Sequence, residues 1–143
     1  MKKEKKYKEP VLSASVVNES EVLYLVDTVR QGIAFNYFLS LVNKIPFTLN
    51  DWTQILNLSG RTMQRYKKEK GTFDRIHSER IIEITLMYNQ GVEAFGSSKK
   101  FDAWLESENI ALGGKKPKEY LDTTFGIQMI KAEISRIAYG ILA

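Results

Sequence analysis

The stretch from Thr48 to Lys68, TLNDWTQILNLSGRTMQRYKK, decides the fold. Thr48 supplies a side-chain acceptor and Asp51 follows three residues on, an approximate capping box that opens a short helix. That helix runs to about Asn57 and buries Leu49, Trp52, Ile55 and Leu56. Ser59 caps a second helix from Gly60 to about Lys70, and Gly71 ends it. The turn between them is short and carries one apolar plug, Leu58. With Met63 and Tyr66 pointing inward from the second helix, the segment reads as a helix-turn-helix.

In such a unit the exposed start of the second helix carries Arg61, Thr62, Gln64 and Arg65. Arginine can pair bidentately with guanine, glutamine with adenine, and a threonine methyl can touch thymine. Lys67, Lys68 and Lys70 lie farther along, where they would reach phosphates and set orientation rather than base choice. A purely structural three-helix bundle has the same pattern, so the segment alone leaves DNA binding open.

The flanking chain is helical too. Upstream, Val22, Leu25, Val26 and Val29 recur at helical spacing after a cap at Asn18 or Ser20, and Gly32 stops them. Phe35, Phe38, Leu39 and Val42 repeat the pattern until Pro46. Downstream, a long helix with Ile81, Ile84, Tyr88, Val92 and Phe95 on one face ends at Gly96, and Ser97 or Ser98 caps a helix through Phe101, Trp104 and Leu105. A loop over 109–114 leads to Pro117 at the first position of a one-turn helix. Thr123 caps the last helix, with Ile127, Ile130, Ile134, Ile137 and Ile141 forming a narrow seam that suits packing on another helix, in the same chain or in a second copy. The expected fold is all-α with about seven helices, no strand and no internal repeat.

Composition narrows the class. With 43% apolar and 27% charged residues over 143 positions, the chain has enough of both to fold as one domain or two small ones sharing a core. It has no cysteine, which excludes disulfides and thiol catalysis and fits a reducing cytoplasm. The Lys-rich start, Met1 to Pro10, lacks the apolar core of a secretory signal, and no run is long enough to span a membrane. The net charge of +4 is mild. Its basic residues cluster in the N-terminal tail and again over Arg61, Arg65, Lys67, Lys68, Lys70, Arg75 and Arg80.

No catalytic constellation can be assembled. His77 is the single histidine and sits near a helix start, where a capping or surface role suits it, so neither metal nor cofactor is expected. Glu79 and Glu83 share a helix face, an arrangement usual for solvated carboxylates. Leu112-Gly113-Gly114-Lys115 lacks the spacing and the preceding strand of a phosphate loop.

The run from Ala94 to Gly140 resembles the toxin-binding domain of Xre/MbcA/ParS antitoxins. The features that carry the resemblance are Phe95-Gly96, Trp104-Leu105, Leu112-Gly113-Gly114, Pro117, Leu121, Thr123, Gly126 and Tyr139-Gly140. With the helix-turn-helix it covers roughly Gly32 to Ala143. The resemblance implies a non-enzymatic bacterial antitoxin that neutralises a RES-domain, NAD-consuming toxin, dimerises, and represses its own operon by binding double-stranded operator DNA. It divides the chain into a flexible basic tail (1–17), an Xre-like helix-turn-helix domain (18–73) and a toxin-binding domain (74–143). The toxin-contacting residues it implies are Arg136, Tyr139, Gly140, Ile141, Leu142 and Ala143, the last of which form an unusually apolar end for a segment in water. The alternative reading is a stand-alone transcriptional regulator with no toxin partner.

Overall fold

The computed structural model describes residues 18–140. Its elements are α1 (Glu19–Gln31), α2 (Phe35–Val42), α3 (Leu49–Ile55), α4 (Gly60–Glu69), α5 (Arg75–Phe95), α6 (Ser98–Leu105) and α7 (Thr124–Ala138), with 3₁₀ turns at Ile110–Leu112 and Pro117–Tyr120. No strand forms among the described residues, only two isolated bridges, Ala34 with Thr72 and Asn109 with Lys115. No described helix is long and apolar enough to cross a membrane.

Side-chain caps set the starts. Asn18, Thr48, Ser59, Asp74, Ser97 and Thr123 each accept an N–H from the first turn that would otherwise lack a partner. Asn18 with Glu21, and Thr48 with Asp51, close full capping boxes. At Lys116, which cannot act as an acceptor, the Glu119 carboxylate takes the backbone N–H instead at 2.9 Å.

One helix end differs from expectation. The left-handed residue closing α4 is Lys70 (φ 51°), not Gly71. Gly71 serves close approach: a Cβ there would strike the Tyr66 ring, and its carbonyl accepts the Phe35 N–H at 2.9 Å.

The core is organised around α5, which packs on α1, α2, α6 and α7. Ser78, Ile81, Ile82, Ile84, Thr85, Met87, Tyr88 and Gly91 are all buried on it, so it is apolar round most of its circumference as a central helix must be. The isoleucine seam of α7 lies within the chain: Ile127, Ile130 and Ile134 are fully buried against this core. Each such side chain contributes about 1.5–3 kcal/mol of burial, and none of the three is free to join two copies. Ile141 lies outside the described residues.

The stripe on α1 is only half used. Leu25 is buried and Val29 partly so, whereas Val22, Leu23 and Val26 face outward. Leu39 of α2 is likewise exposed, while Phe35, Phe38 and Val42 are buried.

Candidate nucleic-acid and partner interfaces

The helix-turn-helix is built as its sequence demands. Trp52, Ile55 and Leu56 of the first helix and Met63 of the second are buried, and Leu58 is half-buried at the turn. Asn57 turns the chain with φ 54°, a value asparagine tolerates. Phe38 meets the Trp52 ring edge-on at 5.3 Å, and Tyr66 packs on Phe73 at 5.1 Å, so both helices are anchored to α2 and to the segment before α5.

This anchoring turns Met63 and Tyr66 inward and presents the opposite face of α4. Arg61, Gln64, Arg65 and Lys68 are all exposed, at the i, i+3, i+4, i+7 spacing of one helical stripe. They form a continuous basic and amide surface. Arg65 also rests its guanidinium over the Tyr66 ring at 5.7 Å, which steadies the side chain.

Two other candidate DNA-contacting residues of α4 flank this stripe. Thr62 is half-buried at the helix start, where its N–H and hydroxyl both engage the Ser59 hydroxyl, at 3.1 and 2.9 Å. Lys67 lines the edge of an apolar cleft beside Phe47 and Trp52.

Arg80, counted with the basic cluster by sequence, points away from the α4 surface. Its guanidinium donates to the carbonyls of Ile55 (3.3 Å) and Asp122 (2.7 Å) and to the Thr124 hydroxyl (3.2 Å). It therefore ties the end of α3 to the start of α7. A second tie runs through Lys118, whose ammonium lies 2.9 Å from both Asp51 and Glu106 and over the Phe47 ring. Burial works against the charge on Asp51, but the bonds from Lys118 and Thr48 outweigh it and hold the carboxyl below its usual range. Burial likewise opposes the Lys118 charge, and Glu106 and Asp51 more than offset it, holding the ammonium above its usual range. Sequence reasoning missed both ties. Their partners are distant in the chain and leave no local signature.

His77 sits at the start of α5, where its N–H donates to the capping Asp74 carboxylate at 2.9 Å. No described group of histidines and carboxylates has metal-binding geometry. Glu79 is exposed and Glu83 half-buried; burial raises the Glu83 carboxyl above its ordinary range, with Arg80 pulling the other way.

At the far end of the molecule, Arg136 is exposed and paired with Glu133, and Tyr139 is 90% exposed. Gly140 follows in a left-handed turn (φ 71°). The expected contacts at Ile141, Leu142 and Ala143 lie outside the described residues. Phe125, at the other end of α7, is also 90% exposed. With Gln128, Ala132, Arg136 and Tyr139 it marks an outward stripe opposite the buried isoleucines. A reading centred on the isoleucine seam passes over Phe125 because it lies out of register with it.

Known proteins resemble this chain in sequence and fold. A family described as the antitoxin Xre-like helix-turn-helix domain matches residues 24–85, and one described as the antitoxin Xre/MbcA/ParS C-terminal toxin-binding domain matches residues 90–140. A protein named Antitoxin Xre from Yersinia enterocolitica is 23% identical over 120 residues, 83% of this chain and 81% of that protein. An Antitoxin Xre from Photorhabdus laumondii is 26% identical over 115 residues, 80% and 78% of the two chains. Among solved structures, a chain of the M. tuberculosis MbcT-MbcA toxin-antitoxin complex shares the fold with a TM-score of 0.55 at 18% identity, over 89% of this chain and 100% of that one.

Proposed function

The chain belongs to the Xre/MbcA/ParS type of antitoxin, and from that premise we propose that it neutralises a RES-domain, NAD-consuming toxin and represses its own operon as a DNA-binding dimer. The observation that carries the reading is that one core presents two separate surfaces. The first is the exposed stripe of Arg61, Gln64, Arg65 and Lys68 on α4. It has the residue types that read guanine and adenine edges in a major groove, with a lysine for the backbone. The second is the outward stripe of α7 ending at Arg136 and Tyr139, and the apolar residues Ile141 and Leu142 follow it in the sequence. Apolar and aromatic side chains left in water there gain from a protein partner that covers them. The chain acts by binding on both surfaces, not by catalysis.

The helix-turn-helix comprises 18–73 and the toxin-binding part 74–143, with α5 serving as the shared spine of both. Two copies would place recognition helices on half-sites about 34 Å apart, or a multiple of that. The test is co-expression with the product of the adjacent gene. Co-purification and protection from growth arrest support the antitoxin role, and a gel shift of the operon's own promoter supports repression. A promoter shift with no neighbouring toxin and no co-purifying partner would instead favour a stand-alone regulator.

A further inference from the structure

We infer that two copies of this chain join through α1, packed antiparallel across a two-fold axis. This inference rests on the dimer reading above and names the surface that makes it. The last-helix seam cannot do so, because Ile127, Ile130 and Ile134 are fully buried within one chain.

α1 is the place where apolar surface is left over. Leu25 and Thr28 face α5, yet Val22, Leu23 and Val26 beside them are left 44%, 64% and 37% exposed. A groove of about 300 Å³ runs beside them, walled by Val22, Val26, Val29 and Arg30 on α1 and by Arg75, Glu79 and Ile82 on α5. A helix that buried only its inner face would carry polar residues outside.

Charge selects the occupant. The outward stripe reads Glu19, Val22, Leu23, Val26, Arg30, with an acid at one end and a base at the other. Neither charged residue has an ion-pair partner among the described residues. Leu23 and Val26 lie equally far on either side of the same midpoint as Glu19 and Arg30. A second α1 laid antiparallel therefore sets Leu23 against Val26 and Glu19 against Arg30, twice over, as an isologous interface requires. On the groove wall α5 adds Arg75 together with Glu79 and Glu83, so the charge asymmetry of the stripe rests on Glu19 and Arg30 themselves. The C-terminal end of α1 meets the first turns of α5, since the Ile33 N–H donates to Ser78 at 2.9 Å. Parallel packing would instead place acid on acid and base on base, so the charged ends of the stripe are complementary in the antiparallel direction only.

The experiment measures the dimer dissociation constant of the full chain by analytical ultracentrifugation, with helicity and toxin co-purification followed alongside. Leu23→Glu and Val26→Glu should each raise it at least tenfold while helicity and toxin capture hold. Glu19→Arg and Arg30→Glu should each weaken the dimer severalfold as pure proteins. Mixed one to one they should form heterodimers of near wild-type strength, because both cross-pairs are then opposite in sign. A wild-type monomer would overturn the dimer reading itself. A dimer unmoved by the α1 substitutions, or single-charge variants that gain nothing on mixing, would overturn this interface and leave dimerisation intact. A dimer that tightens on removal of residues 1–17 would assign the groove to the chain's own N-terminal segment, and would also overturn it.

Discussion

Arg80 donates to the backbone carbonyl of Asp122 at 2.7 Å, joining the middle of the chain to the loop that launches α7. The same guanidinium reaches the Ile55 carbonyl at the end of α3, so one side chain closes backbone acceptors from both halves of the molecule. Removing it leaves the Ile55 carbonyl without this donor in a partly buried place and frees the Asp122 carbonyl at the surface. Arg80→Ala should cost roughly 1.5–3 kcal/mol in urea unfolding. Arg80→Lys should recover only part of this, because an ammonium cannot span the three acceptors with a planar fork. Wild-type unfolding in both variants would show that the tie is incidental.

Lys118 makes the parallel tie, and its stability contribution depends on pH. The Asp51 carboxyl is held below its ordinary value in the fold, so its contribution is fully present above about pH 4 and is lost as pH falls through the folded value. The Lys118 ammonium is held above its ordinary value, so that contribution is lost only as pH rises beyond about 10. Lys118→Met should cost about 0.5–1 kcal/mol at neutral pH and flatten the acid limb of the stability profile. An acid limb unchanged from wild type would place the acid sensitivity elsewhere.

Gly91 sits in mid-helix on α5 because the Phe101 ring occupies the space a Cβ would need. Phe101 is fully buried among Tyr88, Phe95 and Trp104, so it has nowhere to move. Helix propensity favours alanine over glycine by about 1 kcal/mol. Overpacking should outweigh it, leaving Gly91→Ala destabilised by roughly 1–3 kcal/mol. A thermal melt that rises instead would show that α6 can shift outward at little cost.

On the DNA side, Gln64→Ala or Arg65→Ala should each cost about 1–3 kcal/mol of operator affinity and relax base preference. Lys68→Ala should weaken every sequence alike and reduce the salt slope. Thr62→Ala and Lys67→Ala should have smaller effects, since Thr62 is held by the Ser59 cap and Lys67 borders the cleft near Trp52. Undiminished operator affinity in an Arg61/Gln64/Arg65 triple alanine variant would remove α4 as the reading helix.

Elements with a chemical signature at each end are legible from sequence. Thr48, Ser59, Ser97 and Thr123 cap helices in the structure, and Gly96 stops one at φ 83°. Periodicity marks α1 as helical but does not say how much of an apolar stripe is covered. That depends on the width of the neighbour, and α5 reaches only Leu25 and its inner flank. The basic cluster is legible as charge and not as direction: Arg65 faces out while Arg80 turns in to carbonyls far along the chain. Gly71 looks like a helix stop, yet Tyr66 is what excludes a side chain there. Each of these depends on a neighbour distant in sequence.

Toxin neutralisation should depend on the C-terminal end and be separable from both folding and DNA binding. The last fully buried residue of α7 is Ile134, and Tyr139 beyond it is 90% exposed. Tyr139 contributes to the fold mainly through an N–H bond to the Ser135 carbonyl at 3.0 Å, so its loss frays one turn. Deleting Tyr139 to Ala143 should leave helicity, melting and the operator shift close to wild type. On a partner, burial of Ile141 and Leu142 would contribute roughly 3–6 kcal/mol before ordering costs, enough to decide whether a complex forms. The truncated chain should therefore fail to protect cells co-expressing the toxin. Phe125→Ala offers an independent probe of the same stripe without touching the terminus, and a partial loss of protection there would extend the contact along α7. If the truncated protein protects as well as the full chain, the inhibitory contact lies elsewhere, and the loop at Gly113 and Gly114 is the next surface to test. If truncation melts the protein, these residues belong to the core, and the separation of folding from neutralisation fails with it.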